Sequence, residues 1–169
     1  MADEIDHSRA VRGDTEASAL FNPAFGAVVL NRACAGFESK AGHLMPLTYA
    51  YLVLPSALHM PTRTALPGTV GRSMHRWLRE NPLVLSDLAV RVRSFRGVTS
   101  EAIIFGIRHA VLGTRDGALE AGHLRRRSRA LQPTGDWESC MRAADFLGKW
   151  LGGSGNDEPT TLAQWGLRP

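Results

Sequence analysis

The chain has 169 residues, 44% of them hydrophobic and 21% charged, an ordinary soluble globular composition with enough apolar residues for the core of one domain. Its most apolar run, residues 47–58 (LTYAYLVLPSAL), falls short of the roughly 20 residues that span a bilayer, so no membrane anchor is expected. The net charge of +4 is unevenly spread: residues 61–130 hold thirteen arginines, no lysine and five acidic residues, while both ends of the chain are acidic.

Residues 1–17 read as a flexible leader. They start with acidic rather than basic residues and lead into no apolar run, so no signal peptide is expected and the chain is assigned to the cytoplasm. Residues 18–169 read as a single mainly helical domain. Asn22-Pro23 starts its first helix, because Asn caps well and Pro at the first helical position has no N–H to leave unpaired. Phe25, Val28, Val29 and Arg32 follow at helical spacing. Gly42, His43 and Pro46 make a turn into residues 47–58, a buried helix interrupted by Pro55.

Residues 61–68 (PTRTALPG) read as a loop, and Thr69 is expected to cap a helix bearing Val70, Met74, Trp77 and Leu78. Pro82 opens another, with Leu85, Leu88, Val92 and Phe95 spaced by three or four and Gly97 closing it. Thr99 is expected to cap the next, with Ile103, Ile104, Ile107 and Val111 as its buried stripe. Asp116-Gly117, a preferred pair for a tight hairpin turn, then separates two short half-apolar strands. Helix, glycine-containing turn, helix, hairpin is the order of a winged helix-turn-helix, here over about 69–122. A basic loop, Arg125 to Arg129, leads to Asp136, which caps a last long helix with Trp137, Cys140, Met141, Ala144, Leu147 and Leu151. Gly152 and Gly153 stop that helix, and a linker leads to an apolar tail containing Trp165, so the C-terminal helix and tail occupy 136–169. The expected fold class is therefore mainly α with a short β-hairpin: a winged helix-turn-helix-like core plus flanking helices.

Little in the chain could converge on chemistry. Six histidines include no H-x-x-x-H or H-E-x-x-H pair, and Cys34 and Cys140 have no metal-ligand companion, so both read as reduced, buried small residues. Asp116, Glu120 and His123 belong to the hairpin and read as a solvated wing. The glycine-rich pieces at 68–71 and 152–155 lack the G-K-[S/T] of a phosphate loop. No catalytic residue, metal or cofactor is expected. DNA is the more serious candidate ligand. The candidate phosphate contacts are Arg91, Arg93, Arg96, Arg125, Arg126, Arg127 and Arg129, a set suited to salt-sensitive, sequence-tolerant binding; Glu101 at the tip of the expected recognition helix disfavours base reading. Solvated helix faces are the plain alternative. Trp77 and Trp137 read as core. Trp150 and Trp165 suit either the core or a partner pocket, and with Arg63 and Arg168 they form the candidate partner interface.

Six segments in register resemble a known family: residues 21–27 (FNPAFGA), 53–59 with 61–67 (VLPSALH, PTRTALP), 77–82 (WLRENP), 101–109 (EAIIFGIRH), 146–150 (FLGKW) and 166–169 (GLRP). Together they look like the middle component of bacterial three-component ABC-ATPase systems, over about residues 16–169. The resemblance implies a non-enzymatic adaptor in an anti-phage or anti-plasmid defence cassette. Its partners would be an SMC/Rad50-like ABC ATPase and an effector subunit, often a nuclease, with DNA reached indirectly or through the basic flank. A stand-alone winged-helix transcriptional regulator is the alternative. The sequence departs from the family pattern at 156–159 (NDEP), which lengthens the link to the tail, and at Gln164-Trp165, where the family is usually more aliphatic.

Overall fold

A computed structural model describes residues 22–124 and 136–167. These residues are mainly helical, with a small three-stranded antiparallel sheet. Nine helices lie among them: α1 (Pro23–Ala41), α2 (Leu47–Leu58), α3 (Met60–Ala65), α4 (Met74–Glu80), α5 (Pro82–Ser86), α6 (Leu88–Ser94), α7 (Arg96–Arg108), α8 (Asp136–Gly152) and α9 (Glu158–Gln164). The strands are β1 (Met45–Pro46), β2 (Leu112–Arg115) and β3 (Ala118–Ala121), in spatial order β1-β3-β2.

Helix α1 is the central pillar, packed mainly against α8 on one side and α7 on another. Its start is the one expected: the Asn22 side chain accepts the Ala24 N–H at 2.9 Å, with Pro23 in the first turn. It ends at Gly42, whose φ of 72° lets its N–H reach back to the Glu38 carbonyl at 2.9 Å. The α1–α8 contact is set by glycines. A Cβ on Gly36, Gly148 or Gly152 would sit closer than 3.0 Å to backbone of the facing helix, so these positions let two helix backbones touch. Phe25 and Trp137 stack at the start of both helices, with ring centroids 4.6 Å apart.

Helix α2 is buried almost all round, from Tyr49 through Leu58, and Pro55 lies within it rather than ending it. The hairpin forms as its sequence requires. Asp116 and Gly117 take φ values of 51° and 76°, two left-handed residues that match the twist of the flanking strands. Buried Asn31 of α1 ties down the open end of this hairpin, donating to Val111 O at 2.7 Å and Gly122 O at 3.0 Å. The third strand comes from far away in sequence, Met45 pairing with Leu119 and Pro46 with Ala118. A two-residue strand has no period to detect.

Four expectations are corrected. Residues 60–65 form helix α3 inside the expected loop, capped by His59. Ser73, not Thr69, caps α4; Thr69 instead turns its hydroxyl to the Gly71 N–H. Gly97 does not end a helix, and Thr99 does not cap one. Helix α6 passes into α7 through the single residue Phe95, itself right-handed helical, so no glycine-containing turn separates two helices here and Thr99 is buried inside α7. Finally, the buried face of α7 is Thr99, Ala102, Ile103 and Gly106, while Ile104 and Ile107 face solvent. Small residues set that rotation: a Cβ on Gly26 of α1 would collide with Ala102, and one on Gly106 with Leu112.

Candidate interaction surface

The apolar tail packs into the core behind a groove. Three tryptophans distant in sequence form one cluster: Trp77 and Trp150 lie 5.3 Å apart edge-on, and Trp165 sits 6.3 Å and 6.4 Å from them. Trp165 is 0% exposed. Its arrival there depends on α9, whose first turn Asp157 caps by accepting the Thr160 N–H at 2.8 Å; the Thr160 hydroxyl, and then that N–H, hold the Asp157 carboxyl below the usual carboxylate range. Each indole N–H is satisfied, and two of the three bind the same stretch of chain. Trp77 Nε1 donates to Ala65 O at 3.2 Å and Trp150 Nε1 to Arg72 O at 2.7 Å, while Trp165 Nε1 points to Met74 Sδ at 3.1 Å. Residues 66–72, which lack helix or strand, are thus pinned at both ends to the aromatic core.

Between that segment, α3 and α8 lies an open groove of about 860 Å³. Met60, Leu66, Pro67, Val70 and Phe146 give it an apolar lining, and Arg142, Asp145, Lys149 and Asp136 stand along it. Arg63 closes its base. Its side chain is only 4% exposed and donates to Leu58 O (2.8 Å), Ser139 Oγ (3.0 Å) and Asp136 Oδ1 (2.6 Å), joining α2, α3 and α8. At the rim, Lys149 pairs with Asp145 at 2.7 Å, and Arg142 makes a looser pair with Glu138 at 3.5 Å.

Next to this base, His59 caps α3 with its ring: Nδ1 accepts the Thr62 N–H at 3.3 Å and lies 2.8 Å from Thr62 Oγ1. Burial, then the nearby Arg91 and Arg63, push the imidazole below its ordinary value of 6.5, with Asp87 opposing them. That keeps Nδ1 free to accept. Arg91 turns inward as well, its guanidinium 3.3 Å from Thr62 Oγ1.

The candidate residues named from sequence therefore part company. Trp150, Trp165 and Arg63 lie inside the molecule and shape the groove from behind. Arg93 and Arg96 are exposed, and Arg91 faces Thr62. Arg125, Arg126, Arg127, Arg129 and Arg168 lie outside the described residues. Sequence reading missed the groove itself, since its wall is an irregular segment held by indoles 12 and 78 residues away from the carbonyls they bind. Among the described residues, no group of three or more His, Cys, Asp or Glu is placed to hold a metal ion, and no helix is long and apolar enough to cross a membrane. Cys34 and Cys140 are free and buried, and burial pushes the Cys34 thiol up to about 12, far from a reactive thiolate.

These features describe a small helical scaffold that offers a shaped, apolar-lined groove. The chain belongs to the Middle Component 3 family of ABC-three component (ABC-3C) systems, whose family model matches residues 11–169. It is thus a component of an ABC-3C system. No curated protein and no solved structure matches it.

Proposed function

We propose that this chain is the non-enzymatic adaptor of its ABC-3C system, bridging an SMC/Rad50-like ABC ATPase and an effector subunit, often a nuclease, in an anti-phage or anti-plasmid defence complex. The observation that carries this reading is the groove beside α8. It has the apolar lining and charged rim of a protein-docking site, and a rigid aromatic cluster holds its wall in place before any partner arrives. In this reading Trp150 and Trp165 serve the partner interface indirectly, by keeping residues 66–72 in position, and Arg168 extends that interface. Arg93 and Arg96, with the basic segment 125–129, supply salt-sensitive contacts to DNA held by the complex.

Co-expression with the other two components tests this directly. The three chains should co-elute. Arg142→Glu on the rim and Thr64→Arg on the α3 side should each release one component while leaving the circular dichroism spectrum unchanged. Retention of both components by both variants would move the interface elsewhere, and a chain that elutes alone would overturn the adaptor reading.

A further inference from the structure

Helix α7 presents an apolar stripe to solvent: Ile104 is 52% exposed and Ile107, one turn later, 40%. The helix cannot turn these residues inward, because Ala102 and Gly106 already occupy the inner face against Gly26 and Leu112, at approaches no larger side chain could share. Glu101 stands three residues before Ile104 and Arg108 four after it, both exposed and both on the side of the helix that carries Ile104. Neither has an ion-pair partner among the described residues, although Glu80, Glu120, Asp136, Glu138 and Asp145 each have one.

Acid, apolar, base along one helix face is a pattern complementary to itself when two such helices run antiparallel. A two-fold axis passing near Ile104 sets the isoleucines of both copies together and brings Glu101 of each toward Arg108 of the other. We propose that α7 is the interface of a homodimer of this chain, paired antiparallel about Ile104. A different partner would have to carry the same order of charges reversed, which a second copy already does. The apolar centre is small beside the ~800 Å² per partner of stable complexes, so the dimer is weak and its dissociation constant on the order of 10 μM.

Sedimentation velocity on the full chain, at concentrations spanning that constant, tests the proposal. The wild type should shift from monomer to dimer as concentration rises. Ile104→Glu should weaken association by about tenfold or more while circular dichroism shows the same fold. Glu101→Arg and Arg108→Glu should each weaken it alone, since each sets like charges opposite one another twice. An equimolar mixture of those two variants should recover association, because both pairs across the mixed interface are again opposite in sign. A wild type that stays monomeric throughout overturns the proposal, as does undiminished dimerisation of Ile104→Glu. A mixture that fails to recover overturns the antiparallel pairing. If the wild type stays monomeric and Ile104→Glu instead releases another ABC-3C component, the face belongs to that component and the homodimer is wrong.

Discussion

Helices α7 and α8 flank the same pillar, α1, and treat their apolar residues in opposite ways. On α8, Cys140, Ala144, Leu147, Trp150 and Leu151 all face inward, and glycines at 148 and 152 let its backbone touch α1. On α7, the inner face carries Thr99, Ala102 and Gly106 beside one isoleucine, Ile103, and two isoleucines are left outside. An apolar side chain on a helix therefore does not by itself mark the core. Close backbone approach decides the rotation, and bulk that cannot fit between two helices must go to the outer surface.

The comparison breaks first at the largest side chains. Trp165→Ala, which empties the aromatic cluster behind α8, should destabilise by about 3–5 kcal/mol in urea unfolding. Leu147→Ala should cost about 2–5 kcal/mol, whereas Ile104→Ser on α7 should stay within about 0.5 kcal/mol. Equal losses at 147 and 104 would erase the distinction between the two helices. Gly148→Ala should cost about 1–3 kcal/mol or more, because the new methyl meets the Ala33 backbone and not a side chain that could swing away. Asn31→Ala, which removes the side-chain donor from two carbonyls at the end of the hairpin, should cost about 1–3 kcal/mol and show in earlier hydrogen exchange at Gly122 and His123, whose N–H groups close that end.

The smallest expected effect is on pH. With the His59 imidazole held below its ordinary 6.5, the unfolded chain takes up the proton before the folded one. The contribution is complete above 6.5 and lost as pH falls through the window beneath it, so thermal stability should decline there. His59→Asn, which keeps an acceptor at the cap of α3, should flatten that decline in melting curves taken across the window. A slope unchanged by the substitution would assign it to another group.

Local chemistry was legible from the sequence wherever a few neighbouring residues decide the backbone. Asn22-Pro23 starts α1 and Asp116-Gly117 turns the hairpin because cap and turn geometry depend on two or three adjacent residues. The long amphipathic α8 was readable for the same reason, its stripe repeating over four turns. Boundaries between 60 and 99 were not. Ser73 and Thr69 are comparable caps in sequence, and which of them acts depends on where Trp77 and Trp150 hold the chain between; His59, which caps α3, is not among the residue types that usually cap. Gly97 is an ordinary helix stop that α6 and α7, running on through Phe95, override.

The sequence by itself determined the mainly helical class, the hairpin, the buried α2 and α8, and, through six ordered segments, the family. Only the tertiary structure decided the third strand, the outward turn of Ile104 and Ile107, and the fate of the tail. Trp165 closes the core and, with Trp77 and Trp150, holds the wall of a groove that no single segment encodes. The physical reason is common to all three. Each outcome depends on which surfaces meet across 70 or more residues, and close packing between backbones settles that, while the periodicity of one segment reports only its own face.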